Sequence, residues 1–265
     1  MKLAGMDKLV KKGKTILLAY DAGLEHGPVD FNMSNIDPTS VIQLAEKGGI
    51  NGLVLHHGVA EKYFPTKEKK VPLIIKLNGK TKLRKGDPLS QQVCSVDRAL
   101  RLGADALGYT LYPGSMYEQV MFQEFSAIVE KCHRLGVPVI AWVYPRGQGV
   151  EETATDTIAY AARIALELGA DFAKINFNGD FEGFKWACQA AGKTRVLMVG
   201  GGKTDDLTFL TRLRRAIDAG ATGIAVGRNV WQHENPAKML AAVKEVVYND
   251  KSPEEALKRL TVSAP

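Results

Sequence analysis

The chain has few cysteines and no long hydrophobic run. Its three cysteines, Cys94, Cys132 and Cys188, form no Cys-x-x-Cys pair, which argues against a disulfide framework and favours a reducing compartment. No run of about 18 apolar residues is present, so a membrane-spanning helix is not expected. The N-terminus lacks the apolar core of a signal peptide. These absences predict a soluble, cytoplasmic protein with no membrane partner.

Linkers rich in Pro, Gly or Ser and low-complexity tracts are also absent. With 45% hydrophobic and 24% charged residues, the composition is that of an ordinary globular protein. We therefore predict a single domain over residues 1–265, with a basic lead-in at 1–14 and a C-terminal tail at 250–265.

Basic residues outnumber acidic ones, giving a formal net charge of +6. A nucleic-acid-binding protein would usually cluster its Lys and Arg residues with aromatic residues between them. Here the bases are spread out, and the densest runs, 67–70 and 212–215, are typical of solvated faces. The charge thus favours an anionic small molecule, a phosphorylated metabolite, and no nucleic acid.

Short apolar segments alternate with helical patterns along the whole chain. Such segments are typical of a parallel sheet covered on both faces. The eight candidate strands are 15–21, 52–57, 72–78, 106–112, 138–144, 171–177, 195–201 and 223–228. Eight βα units in this length predict a (β/α)8 TIM barrel. The alternative, an open doubly wound sheet, would need Gly-x-Gly-x-x-Gly after strand 1, which the sequence lacks.

A lysine interrupts the sixth candidate strand. Strand residues alternate faces, so Lys174 shares a face with Phe172 and Asn176, while the other face is wholly apolar and should meet the helices. Lys174 should therefore point into the barrel. Burial lowers a lysine pKa from about 10.4 towards about 7, and a neutral amine can attack a carbonyl to form a Schiff base. The alternative is a structural lysine paired with a barrel carboxylate.

Other reactive side chains are expected at the carboxyl ends of the strands, where barrels carry their sites. Trp142 and Tyr144 share a face on strand 5, and Tyr144 could exchange protons beside an imine. Arg146 follows and could hold an anion or a carboxylate. Asp21 ends strand 1, where it could accept a substrate hydroxyl or pair with the strand 6 lysine, and His26 follows in the same loop. The alternatives are that the rings fill the core and that the aspartate caps a loop.

Two glycine-containing loops predict a phosphate site. Gly201, Gly202 and Lys203 follow strand 7, and Gly227 and Arg228 follow strand 8. Barrels commonly bind phosphate in these two loops through backbone N–H groups. The alternative is glycine turns flanked by exposed bases. This is no Walker loop, because leucine replaces the glycine required five residues before Gly202. The five histidines form no His-x-x-x-His or His-x-His pair, so neither a metal site nor a cofactor is predicted.

Almost end to end, the chain resembles the archaeal-type class I fructose-bisphosphate aldolases, a family that also contains the aminodideoxyheptulosonate synthases. The strings that carry the resemblance are ILLAYDAGLEHGP, LNGKT, LGYTLYPGS, WVYPRG, YAARIALELGAD and GIAVGRNVWQ. The resemblance implies a metal-independent Schiff-base aldolase that forms homo-oligomers, often decamers. It implies that Lys174 is the Schiff-base lysine, that Tyr144 transfers protons, and that Asp21 and Trp142 orient the substrate. It also implies phosphate binding by the loops after strands 7 and 8.

The sequence departs from this family's pattern in three places. Asp21-Ala22-Gly23 stands where the family usually has Asp-His-Gly, 177–180 reads Phe-Asn-Gly-Asp for Tyr-Thr-Gly-Asp, and 200–203 reads Gly-Gly-Gly-Lys for Gly-Gly-Pro-Lys. LNGKT and YPGS resemble the aldolase versions of these segments, and this resemblance favours the aldolase, with fructose 1,6-bisphosphate as its substrate, over the synthase. Three alternatives stay open: a 2-amino-3,7-dideoxy-D-threo-hept-6-ulosonate synthase, another Schiff-base lyase on a phosphorylated ketose, and a non-catalytic sugar-phosphate sensor.

Overall fold

A computed structural model describes residue 3 and residues 5–261. These residues form a closed barrel of eight parallel strands in sequence order, which confirms the predicted single-domain TIM barrel. The strands are β1 Thr15–Ala19, β2 Gly52–His56, β3 Leu73–Lys76, β4 Ala106–Leu111, β5 Val139–Val143, β6 Phe172–Ile175, β7 Arg195–Val199 and β8 Gly223–Val226. Each strand ends one or two residues before its predicted end, because the chain leaves the ladder there to enter a loop.

Helices surround the barrel. Within the described residues they are α1 Met6–Leu9, α2 Gly23–His26, α3 Pro38–Gly48, α4 His57–Tyr63, α5 Val96–Arg101, α6 Glu118–Arg134, α7 Thr155–Glu167, α8 Phe181–Ala190, α9 Asp206–Asp218, α10 Arg228–Trp231, α11 Pro236–Tyr248 and α12 Pro253–Thr261. Sequence signals set several of their ends: the Asp37 side chain caps α3 by accepting from the Thr39 N–H, and Gly49 stops that helix in the left-handed region. None of the helices described here has the length and apolar character required to cross a membrane.

The barrel interior contains one apolar layer to which every strand contributes a side chain. The layer consists of Leu17, Val54, Ile74, Ala106, Ile140, Phe172, Leu197 and Ala225. Three further side chains lie on the same face, each two residues beyond a member of this layer along its strand. They are Lys76, Trp142 and Lys174. The opposite face of β6 packs against the helices through Ala173 and Ile175. The predicted orientation of Lys174 is therefore confirmed.

The described parts of the predicted lead-in and tail contain helices. Leu9 of α1 is fully buried against the interior layer, and its carbonyl accepts a hydrogen bond of 2.8 Å from the Thr15 hydroxyl. The segment predicted as a tail contains α12, because apolar residues at 253, 256, 257 and 260 recur at helical spacing. Ala256 is fully buried as a result. Residues 1, 2 and 4 of the lead-in and 262–265 of the tail lie outside the described residues.

Candidate active site

A cavity of about 270 Å³ opens at the carboxyl ends of the strands. Ten of the eleven predicted site residues line it, namely Lys174, Tyr144, Asp21, Trp142, Arg146, His26, Gly201, Gly202, Gly227 and Arg228. The exception is Lys203, which is exposed and whose Nζ donates to the Gln232 carbonyl at 3.1 Å. Among the described residues, no three His, Cys, Asp or Glu side chains are grouped so as to hold a metal ion.

Lys174 lies on β6 between Trp142 of β5 and Leu197 of β7. The residue is only 7% exposed, its Nζ is 5.3 Å from the centre of the indole of Trp142, and within residues 5–261 its side chain makes no hydrogen bond or ion pair. Burial lowers the pKa of Lys174 to about 8, against the opposing influence of Asp21. About a tenth of this amine is thus neutral at pH 7, far more than in an ordinary lysine, and the neutral form is the nucleophile.

A second buried lysine, Lys76 of β3, stands beside the first. Its Nζ is 3.3 Å from the carboxylate of Asp21 and 4.9 Å from the ring centre of Trp142. Burial alone would raise the pKa of Asp21, but the charges of Lys76 and Lys174 outweigh it and hold that pKa below its ordinary value. Asp21 therefore pairs with Lys76, not with Lys174.

Tyr144 lines the same cavity just past the end of β5. Burial, reinforced by the charge of Asp21, raises the pKa of Tyr144 well above its ordinary value. The phenol is consequently protonated in the free protein and is available as a proton donor. The nearby Arg146, with Cζ 5.3 Å from the ring centre, does not reverse this shift.

Asn229 fixes the glycine-rich loop after β7 by two hydrogen bonds. The Asn229 amide donates to the carbonyls of Gly200 at 2.7 Å and Gly202 at 2.9 Å. Gly201, between them, has a φ of +70° and open space where a Cβ would lie, so glycine suits this left-handed position. Gly227 is needed for a different reason: the position has no room for a side chain, because a Cβ there would lie 2.8 Å from the Ala19 carbonyl oxygen.

Asp30 connects two of the predicted cavity residues. It accepts from His26 Nδ1 at 2.5 Å and lies 3.5 Å from the Arg228 guanidinium. His26 is thus oriented by a carboxylate in its own loop. Arg228 lines the cavity together with the glycine-rich loop, and an arriving anion would compete there with Asp30.

Sequence reasoning missed several residues of this site. Lys76 stands at the carboxyl end of its strand, where reactive side chains are expected, but no role was predicted for it. Two carboxylates contact Arg146, namely Glu25 on the short helix α2 and Glu152 in the loop after β5, and neither segment shows periodicity. Asn229 stands in a short helix that no pattern predicted. These last three depend on how the loops meet in space.

The chain belongs to the DeoC/LacD family aldolases, whose profile matches residues 15–233. It is 49% identical over 251 residues to the fructose-bisphosphate aldolase class 1 of Thermoproteus tenax, covering 93% of this chain and 94% of that protein. It is also 32% identical over 258 residues to the 2-amino-3,7-dideoxy-D-threo-hept-6-ulosonate synthase of Halobacterium salinarum, covering 97% and 96%. The predicted family relationship is confirmed.

A solved structure gives the same result. It is an archaeal fructose-1,6-bisphosphate aldolase whose catalytic lysine is covalently bound to the carbinolamine intermediate of its substrate. It matches this chain with a TM-score of 0.88 at 47% sequence identity, covering 94% of this chain and 100% of that one.

Proposed function

We propose that this chain is a class I fructose-1,6-bisphosphate aldolase, which reversibly forms dihydroxyacetone phosphate and glyceraldehyde 3-phosphate. The observation that carries the proposal is the contrast between two buried lysines in one cavity. Lys76 is paired with a carboxylate at 3.3 Å, whereas the amine of Lys174 has a pKa of about 8. The unpaired amine has the properties of a Schiff-base nucleophile, in a chain with close relatives that bear this name.

In the proposed reaction the neutral amine of Lys174 adds to the C2 carbonyl and forms a carbinolamine. Tyr144, which begins protonated, donates its proton to the departing hydroxyl, so that water leaves and the protonated imine forms. The resulting phenolate accepts the C4 hydroxyl proton while the C3–C4 bond breaks and its electrons move into the imine. Glyceraldehyde 3-phosphate is released, and Tyr144 returns the proton to C3 of the enamine. Hydrolysis of the imine frees the second product.

The remaining side chains orient the substrate in this proposal. The Asp21–Lys76 pair would bind the hydroxyl at C4, and Trp142 would form the wall between the two lysines. Backbone N–H groups of the glycine-rich loop, together with Arg228, would hold one phosphate. From the family resemblance we also propose a cytoplasmic homo-oligomer, with a decamer as the first assembly to test.

Trapping the imine tests the proposal. The protein is incubated with dihydroxyacetone phosphate, reduced with borohydride and mapped by mass spectrometry. We expect one adduct, on Lys174, which disappears in Lys174→Met and persists in the matched variant Lys76→Met. An adduct on Lys76, or none in the wild type, would contradict the mechanism.

The heptulosonate synthase is the second candidate, because the chain has a relative of that name at 32% identity and carries Ala22 in the cavity lining. Both reactions pass through a lysine imine, so trapping does not separate them. The rate of fructose 1,6-bisphosphate cleavage is therefore compared with the rate at which the imine-bound fragment is transferred to aspartate semialdehyde. Faster transfer would favour the synthase, and an adduct without either turnover would favour a sugar-phosphate sensor.

A further inference from the structure

A group of charges lies where the loops after β1, β3 and β5 meet, away from the glycine-rich loop. Glu25, on α2, has its carboxylate 3.3 Å from Lys80 and 3.5 Å from Arg146. Its carbonyl also accepts from the Lys82 N–H at 3.0 Å. Glu152 contacts the same guanidinium. Two cations, Lys80 and Arg146, thus meet two carboxylates at one end of the cavity.

The guanidinium of Arg146 is held firmly on every side but one. Its Cζ is 5.4 Å from the ring centre of Tyr112 and 5.3 Å from that of Tyr144, so both rings pack against it. Glu152 binds its Nε and one terminal nitrogen at 2.8 and 3.1 Å. The other terminal nitrogen faces Glu25 at 3.5 Å. Arg146 would therefore keep its place if Glu25 moved away.

The two carboxylates differ in how tightly they are bound. Glu152 makes a bidentate pair and also accepts from the Asn176 amide at 3.1 Å, which anchors it between two loops. Both ion pairs of Glu25, at 3.3 and 3.5 Å, are longer than the 2.7–2.9 Å or so of a charge-assisted hydrogen bond. Glu152 therefore positions Arg146, whereas Glu25 only neutralises it.

We infer that Glu25 is a specificity-determining residue, a built-in counterion that the far phosphate of a ketose bisphosphate displaces from Arg146 and Lys80. The inference rests on the proposed function, which supplies an open-chain substrate with a phosphate at each end. A phosphate dianion can replace the Glu25 carboxylate at the terminal nitrogen of Arg146 that Glu152 does not bind. A ketose with a single phosphate leaves Glu25 in place and gains nothing at this end. Substrates are thus selected by whether their far group outcompetes a carboxylate.

Two variants with opposite predicted effects test the inference, with fructose 1,6-bisphosphate and fructose 1-phosphate as substrates. Glu25→Gln removes a competitor, so KM for the bisphosphate should fall about two- to fivefold with kcat unchanged, the range expected of a partly exposed ion pair. KM for the monophosphate should not change. The matched control Glu152→Gln releases Arg146 and should raise KM for the bisphosphate by about tenfold.

Equilibrium binding separates this inference from the proposed function. Calorimetry with fructose 1,6-bisphosphate measures affinity without turnover when it is done on Lys174→Met and on the double variant that also carries Glu25→Gln. As a folding control, the Glu25→Gln single variant should give as much borohydride adduct as the wild type. Unchanged or weakened bisphosphate binding in Glu25→Gln overturns the inference even where the adduct forms. The proposed function fails separately, when wild-type protein forms no adduct.

Discussion

The two ends of the barrel use buried charges in opposite ways. At the amino end Asp105 accepts hydrogen bonds from Lys8 at 2.6 Å, from Lys69 at 2.5 Å and from the Leu73 N–H at 3.0 Å. At the carboxyl end Lys174 has no hydrogen-bond partner among the described residues, and the enclosed indole nitrogen of Trp142 also has none. Buried polar groups normally have hydrogen-bond partners. The carboxyl end therefore has donors that remain available for a ligand.

The apolar layer between the two ends explains how they can differ. One side chain from each strand fills the barrel between Leu9 and the two lysines, so changes at one end need not reach the other. In this fold, residues at the carboxyl end of the barrel are expected to serve catalysis, and residues at the amino end are expected to serve stability. The comparison therefore predicts that substitutions at the two ends change different measurable quantities.

The largest effect is expected at the amino end. Leu9→Ala should lower the free energy of unfolding by about 3 kcal/mol, because it opens a cavity beneath the interior layer. Urea denaturation measures this loss, and Leu83→Ala, at a residue that is 90% exposed, serves as the control. Turnover per folded molecule should equal that of the wild type. A fall in turnover would show that the two ends are coupled.

A pH series tests the carboxyl end. Because the folded pKa of Lys174 is about 8, the neutral fraction, and with it the rate of imine formation with dihydroxyacetone phosphate, should rise about tenfold per pH unit below 8 and level off above it. Rapid-quench trapping with borohydride measures this rate. A rise that continued to pH 10 would mean an ordinary lysine.

The same shift has a consequence for stability. Between pH 8 and the ordinary lysine pKa of 10.5, the unfolded lysine holds its proton while the folded one has lost it. The contribution of Lys174 to stability therefore increases with pH across that window, and it is unfavourable below pH 8. Lys174→Met should remove this pH dependence.

The smallest effect is expected at Lys203, which marks the limit of the carboxyl-end site. Its amine is exposed and bound to a carbonyl outside the cavity, so Lys203→Met should change KM for the bisphosphate by less than about twofold. Arg228→Met, in the cavity lining, is the matched comparison and should weaken binding more. Equal losses in the two variants would show that the loop moves Lys203 onto the substrate.

Periodicity predicted the parts of this protein that are regular. The order of strands follows from the βα repeat. The inward direction of Lys174 and the facing of Tyr144 into the same cavity follow from alternation along β-strands. The pairing of Asp21 with Lys76 and the contacts of Glu25 could not be predicted, because they join loops far apart in sequence. The direction of Lys203 was missed for the same reason, since a charge in a loop has no periodic partner to fix it.

The indole of Trp231 donates a hydrogen bond of 3.0 Å to the Ala19 carbonyl, and β8 pairs with β1. The last βα unit thus fastens the loop that carries Asp21, which is among the first parts of the site to leave the ribosome. A nascent chain that has reached Lys174 still lacks its phosphate loop and the closing strand. The reactive centre is therefore complete only after β8 has been made and has paired with β1.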